Sequence, residues 1–273
     1  MLKLVLLFLV SILFGTWGKP EKLEAKALGD LSEITSIQHI LDHAAESQGA
    51  VPVLVAEAPV VKEKVEPGKQ AVYVVDTFED GDFQQNPEWW RFGLLNLKVI
   101  DNDKNEYRFL ESKSLHLTGM TENWYVGGLG TYIGVDGSQF DAVKLVVKGS
   151  GKKSGVLKLE LYDDDNQNWE VEQDSVKSIP QYDDRWAFNL NVDWTGWKVV
   201  IVPFSEFFDD NPLVGDDKFN VDQKDGSGGL LQMQIIALSA TKRGAVDIKV
   251  DSIRLIKQGA PAPAAAPAAP AKG

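Results

Sequence analysis

From residue 71 to residue 257 apolar side chains recur at every second position, and this two-residue period constrains the fold more than any other feature of the chain. Val143, Leu145 and Val147 alternate with Lys144, Val146 and Lys148, and Leu157, Leu159 and Leu161 enclose Lys158 and Glu160. Val199 and Ile201, then Leu231, Met233 and Ile235, then Ile248 and Val250 continue the pattern. Successive side chains of a strand point to opposite faces, so each run describes a strand with one buried face. After Val250 the apolar positions become Ile253 and Leu255, a phase change that predicts a bulge or bend at Asp251-Ser252. Turn residues separate the runs at Gly149 to Gly151, Asp163 to Asn168, Asp209 to Pro212 and Gly226 to Gly229. Many short strands without intervening helices give an all-β antiparallel sandwich, a jelly roll of about eight to ten strands.

The flanks read differently. Lys3 precedes an apolar run from Leu4 to Phe14, and small residues follow at Gly15, Thr16 and Gly18. This is the pattern of a secretory signal over residues 1–18, too short for the ~20 residues that span a bilayer, so no transmembrane span is expected in the mature chain. Residues 19–70 hold a short helix and a linker. Leu31, Ile34, Ile37 and Leu41 fall on one helical face within 30–48, where an envelope protein partner could dock. Pro52, Pro59 and Pro67 mark residues 50–70 as extended. Residues 258–273 are an Ala/Pro-rich tail that cannot build a core. The expected location is periplasmic, cell-surface or secreted.

Charge and composition remove several chemistries. The chain of 273 residues has a formal net charge of -12 and no basic cluster, so a nucleic-acid partner is not expected. It has no cysteine and three histidines, which excludes thiolate nucleophiles and thiolate metal sites. Gly149-Ser-Gly-Lys-Lys-Ser154 lacks the first glycine of a phosphate loop and precedes a strand, so it reads as a hairpin turn. Gly127-Gly128-Leu-Gly130 has the wrong spacing for a dinucleotide fingerprint. His116, inside Ser114-Leu-His-Leu117, has no nucleophile motif beside it and reads as an outward or hydrogen-bonded histidine.

Acidic pairs are frequent: Asp163 to Asp165, Asp183-Asp184, Asp209-Asp210 and Asp216-Asp217. They read first as solvated turns, with a loop calcium or a glycosidase pair as lesser readings. Seven of the eight tryptophans lie in the body of the chain. Indole and phenol rings stack on the apolar faces of sugars while carboxylates and amides bind the hydroxyls. Three segments combine both: Trp124 and Tyr125; Asp164, Asp165, Asn168 and Trp169; Asp184 and Trp186. Core packing is the competing reading for each and the expected one for Trp197. Trp89 and Trp90 are adjacent, so on a strand at most one is buried.

Phe78-Glu79-Asp80-Gly81 with Trp89-Trp90, the segment Trp197 to Phe207 with Pro203-Phe204-Ser205, and Val250-Asp251-Ser252-Ile253 resemble the galactose-binding-like sandwiches. The pattern is similar to family-eleven carbohydrate-binding modules and to the related complex I intermediate-associated domain, over roughly residues 72–256. That resemblance implies non-catalytic binding of a glycan or polysaccharide. It also implies a structural calcium between first and last strands, falling here on Glu79 and Asp251. The alternative is a structural or assembly protein of the cell envelope or of a periplasmic flagellar filament built on the same fold; a glycoside hydrolase is the minor alternative.

Overall fold

The computed structural model describes residues 54–57, 71–103, 112–174 and 179–258. The signal, the helix at 30–48 and the Ala/Pro tail lie outside the described residues. Those described form thirteen strands in two antiparallel sheets. They are β1 Leu54–Glu57, β2 Val72–Asp76, β3 Trp89–Gly93, β4 Asn96–Asp101, β5 Lys113–Thr121, β6 Tyr125–Val135 and β7 Ala142–Ser150. Then follow β8 Gly155–Asp164, β9 Arg185–Val192, β10 Thr195–Pro203, β11 Phe208–Asp209, β12 Gly229–Leu238 and β13 Gly244–Ile256.

The seven-stranded sheet runs β1-β10-β7-β13-β5-β4, with β2 also pairing β13, and the six-stranded sheet runs β11-β9-β8-β12-β6-β3. Leu115, Leu117, Leu145, Val147, Ile248 and Val250 of the first sheet meet Leu129, Leu157, Leu159, Leu161, Met233 and Ile235 of the second in one fully buried cluster. Each such side chain contributes roughly 1.5–3 kcal/mol through burial, and the two-residue period of the sequence is the imprint of that layer. The expected sandwich is the fold.

The phase change in β13 is a real bulge. Its register breaks between Asp251 and Arg254, with Ser252 at φ +51. Before the break β13 lies between β5 and β7; beyond it β2 takes the place of β5. The shift turns Ile253 and Leu255 back into the core that Ile248 and Val250 occupy.

Four details depart from the sequence reading. The linker at 50–70 contributes β1, which extends the sheet by pairing Leu54 with Ile201 and Glu57 with Lys198. The turn at Gly149–Ser154 is not a hairpin, because β7 and β8 belong to different sheets and the turn crosses between them; local alternation does not say which sheet a strand joins. In β10 the core set is Val200 and Val202, paired with Leu145 and Val143, rather than Val199 and Ile201. The run Val199 to Val202 is apolar in both phases, so only pairing selects the buried one. Trp197, in phase with Val199, stands outside the core cluster, where Trp194 sits instead.

Candidate functional site

The outward face of the six-stranded sheet is built on the glycine-rich strand β6. Gly128 and Gly130 face Phe92 and Trp90 of β3 across the ladder. A Cβ on Gly130 would lie 2.5 Å from Trp90 Cζ2, and one on Gly128 would lie 2.5 Å from Phe92 Cζ. Both rings therefore lie flat on backbone that carries no side chain, as edge aromatics do over strand glycines. Trp90 keeps 38% of its surface exposed and Tyr132, on the same face, 47%, whereas Trp89 points inward at 2%. Trp89 Nε1 donates to Asp76 Oδ2 at 2.7 Å.

Between these rings and β9 the face is polar and charged. Gln232 stands between Tyr132 and Tyr162, and Gln234 between Gly130 and Glu160. Lys158 Nζ reaches Glu160 Oε1 at 2.7 Å and Asp210 Oδ2 at 2.6 Å, while Arg185 Nη2 meets the same Asp210 oxygen at 2.7 Å. Tyr162 Oη donates to Glu160 Oε2 at 2.9 Å. Burial pushes the Glu160 carboxyl up, but the charges of Lys158 and Arg185 outweigh it and hold the group below its usual range. Tyr162 is pushed well above its ordinary value by burial and by Glu160. Arg185 Nε and Asn189 Oδ1 remain without a protein partner. Lys158, Glu160, Tyr162 and Gln234 are themselves buried, so the groups this face leaves open to a polyol are the rings of Trp90 and Tyr132 and the half-buried amide of Gln232. The sequence signal for this face is the alternate glycine pattern of β6, which the failed dinucleotide reading left unused.

A second feature lies at the end of β8. Asp163, Asp164, Asp183 and Asp184 are fully buried, not solvated turn residues. One carboxylate oxygen each from Asp163, Asp165 and Asp184 lies within 4.8 Å of the others. Burial first, then the charges of Asp165 and Asp184, push Asp163 up to about 9. Burial, with repulsion from neighbouring carboxylates, raises Asp183 and Asp184 to about 7 and Asp165 to about 6.

The residues singled out in the sequence are thus dispersed. Tyr125 joins Phe92, Val156, Ile236 and Leu238 in a small apolar cluster on the outward sheet face. Asp164 is buried, and its carboxylate accepts the N–H groups of Asn166, Asn168 and Trp169, which folds the loop. Asp165 accepts from Asp184 N at 3.0 Å, and Asp184 accepts from Lys218 N at 3.0 Å. Asn168 is exposed and donates to Glu172. Trp169 is 46% exposed on the same loop. Trp186 is half-buried; it packs against the core and stacks on Phe219 with ring centroids 5.0 Å apart. Trp124 lies apart, in the β5–β6 turn, with Lys242 Nζ 5.5 Å from its ring centroid. His116 pairs with Asp247 Oδ1 at 2.7 Å.

At the first and last strands, Glu79 is exposed and accepts from Ser112 Oγ at 2.6 Å and Lys113 N at 2.7 Å. Asp251 is buried and Asn102 Nδ2 approaches its Oδ2 at 3.5 Å. Asp76, three residues before Glu79 and opposite Ile253 of β13, gives its oxygens to Phe78 N and Trp89 Nε1. Among the described residues Glu79 and Asp251 do not belong to a group of three or more carboxylates or imidazoles close enough to share an ion.

No protein-family model matches the chain, and no curated protein matches it. Solved structures do. A family 11 carbohydrate-binding module from Clostridium thermocellum, in complex with a β-1,3-1,4-mixed-linked tetrasaccharide, is 15% identical. The match covers 68% of this chain and 95% of that one, with a TM-score of 0.42. The solution structure of CtCBM11 matches at 16% identity over 71% of this chain and all of the other, with a TM-score of 0.44. The CBM22-1 xylan-binding domain of Paenibacillus barcinonensis Xyn10C matches at 16% over 71% and 100%, with a TM-score of 0.35. These are β-sandwich domains superposing loosely on this one, whose own strand pairing establishes its fold. Among the described residues no helix is long and apolar enough to cross a membrane.

Proposed function

We propose that the chain is an exported, non-catalytic protein that binds a glycan on the outward face of the six-stranded sheet. The supporting observation is the pair of exposed rings, Trp90 lying flat over Gly130 and Tyr132 beside it, with the half-buried Gln232 across the ladder from Tyr132. Flat apolar faces take up the C–H side of a pyranose, and an amide such as that of Gln232 takes its hydroxyls. The charged groups of this face neutralise one another: Lys158 and Arg185 are tied to Glu160 and Asp210. Such a surface binds and orients rather than transferring a proton. Export rests on the leader-like pattern of residues 1–18.

Isothermal titration against soluble β-glucans, xylan and galactan tests the reading. Trp90→Ala and Tyr132→Ala are each expected to weaken the best ligand at least about tenfold, the worth of a well-made ring contact. Trp124→Ala, in a separate turn, is expected to leave affinity unchanged. Absence of binding across the panel, or equal loss in the Trp124 variant, refutes the sheet face as the binding surface.

A further inference from the structure

We propose that Asp163, Asp165 and Asp184 form a divalent-cation site, suited to calcium, that ties the end of β8 to the start of β9. The oxygens involved come within 4.8 Å of one another, the span available to ligands around an ion bound at about 2.3–2.6 Å. Backbone N–H groups take one oxygen of each carboxylate. Asn220 N donates to Asp163 Oδ2 at 2.5 Å, Asp184 N to Asp165 Oδ2 at 3.0 Å, and Lys218 N to Asp184 Oδ2 at 3.0 Å.

The other oxygen of each, Oδ1, is buried and has no hydrogen-bond partner, although Asp163 and Asp184 are wholly inaccessible to solvent. A native fold does not leave an oxygen of each of three clustered carboxylates buried and bare, because each loses its hydration without return. Among the described residues no side-chain cation is paired with them: the nearby ammonium of Lys218 is exposed and held by Asp216 Oδ2 at 2.9 Å, on the rim. The backbone closes over the group at Gly215, where a Cβ would lie 2.3 Å from both Asp165 Oδ2 and Asp184 Oδ1. Hard carboxylate donors without imidazole or thiolate suit calcium rather than zinc or copper. The repulsion among these groups is what an ion of charge two relieves.

The site is distinct from Glu79 and Asp251, and its behaviour is measured without any glycan. The full chain, stripped with EDTA, is titrated with CaCl2 by calorimetry and with TbCl3 by luminescence sensitised through tryptophan. Saturating calcium is expected to raise Tm by about 5–10 °C. Asp163→Asn and Asp184→Asn each place a neutral amide where burial and neighbouring carboxylates already disfavour a charged carboxylate, so both variants are expected to be at least as stable as the stripped wild type. Each is expected to lose the calcium-induced rise and to weaken terbium binding about 100-fold or more. Glu79→Gln is expected to keep both responses. A stripped wild type that ignores calcium and terbium overturns the proposal, as does an Asp163→Asn/Asp184→Asn double variant that still responds like wild type.

Discussion

Replacing Lys158 by methionine isolates the energetics of the charged sheet face. Lys158 is 3% exposed and its ammonium lies 2.7 Å from Glu160 and 2.6 Å from Asp210, each with a side chain about 5% exposed. At an effective dielectric of about 20, each contact is worth on the order of 6 kcal/mol of attraction, most of it offset by the several kcal/mol needed to strip water from each ion. Methionine keeps the length and the apolar stem but removes the charge. Two buried carboxylates then share only Arg185, which reaches Asp210. Removing one partner of a buried pair costs about 3–5 kcal/mol, a large part of the 5–15 kcal/mol that holds a domain together. With a urea m-value of about 2 kcal/mol/M, the midpoint is expected to fall by about 1.5–2.5 M at unchanged m. Lys158→Met combined with Glu160→Gln removes one charge of each sign and leaves Tyr162 an acceptor, so at least half of the loss is expected to return. A loss below about 1 kcal/mol, the worth of a surface ion pair, or a double variant as unstable as the sum of its parts, refutes the reasoning.

Further predictions follow from other contacts. Asp76→Ala strands the Phe78 N–H and Trp89 Nε1–H that donate to its carboxylate, and equilibrium denaturation is expected to show a loss of about 2–6 kcal/mol, about 1–3 for each donor. Burial raises the Asp76 carboxyl to about 6. Because the folded value exceeds the unfolded one, its contribution is complete below pH 4 and lost as pH rises through 6. The decline in stability from pH 4 to pH 7 is expected to be about 3 kcal/mol smaller in Asp76→Asn. Glu160 is held below its usual range, so its contribution has the opposite sign, present above pH 4.5 and lost on acidification; Glu160→Gln is expected to flatten the acid limb of an unfolding profile. Gly130→Ala pushes a Cβ into the Trp90 indole, and is expected to cost about 1–3 kcal/mol in thermal unfolding and to weaken glycan binding along with Trp90→Ala.

The sequence determined the sandwich, the buried side of most strands and the bulge in β13, because each follows from whether neighbouring residues are apolar, and a period of two records that directly. It also separated Trp89 from Trp90, since adjacent residues on a strand cannot share a face. Tertiary structure alone decided which strands meet, which phase of the apolar run in β10 turns inward, and that the turn at Gly149–Ser154 crosses between sheets. It likewise decided the sites. Gly128 and Gly130 become a bed for Phe92 and Trp90 only when β3 pairs with β6. Asp163, Asp165 and Asp184 become a buried cluster only when the start of β9 and the 211–220 loop close over the end of β8. Strand formation depends on the local order of polar and apolar residues, whereas binding depends on side chains from distant segments meeting within a few ångströms, and no one-dimensional pattern carries that distance.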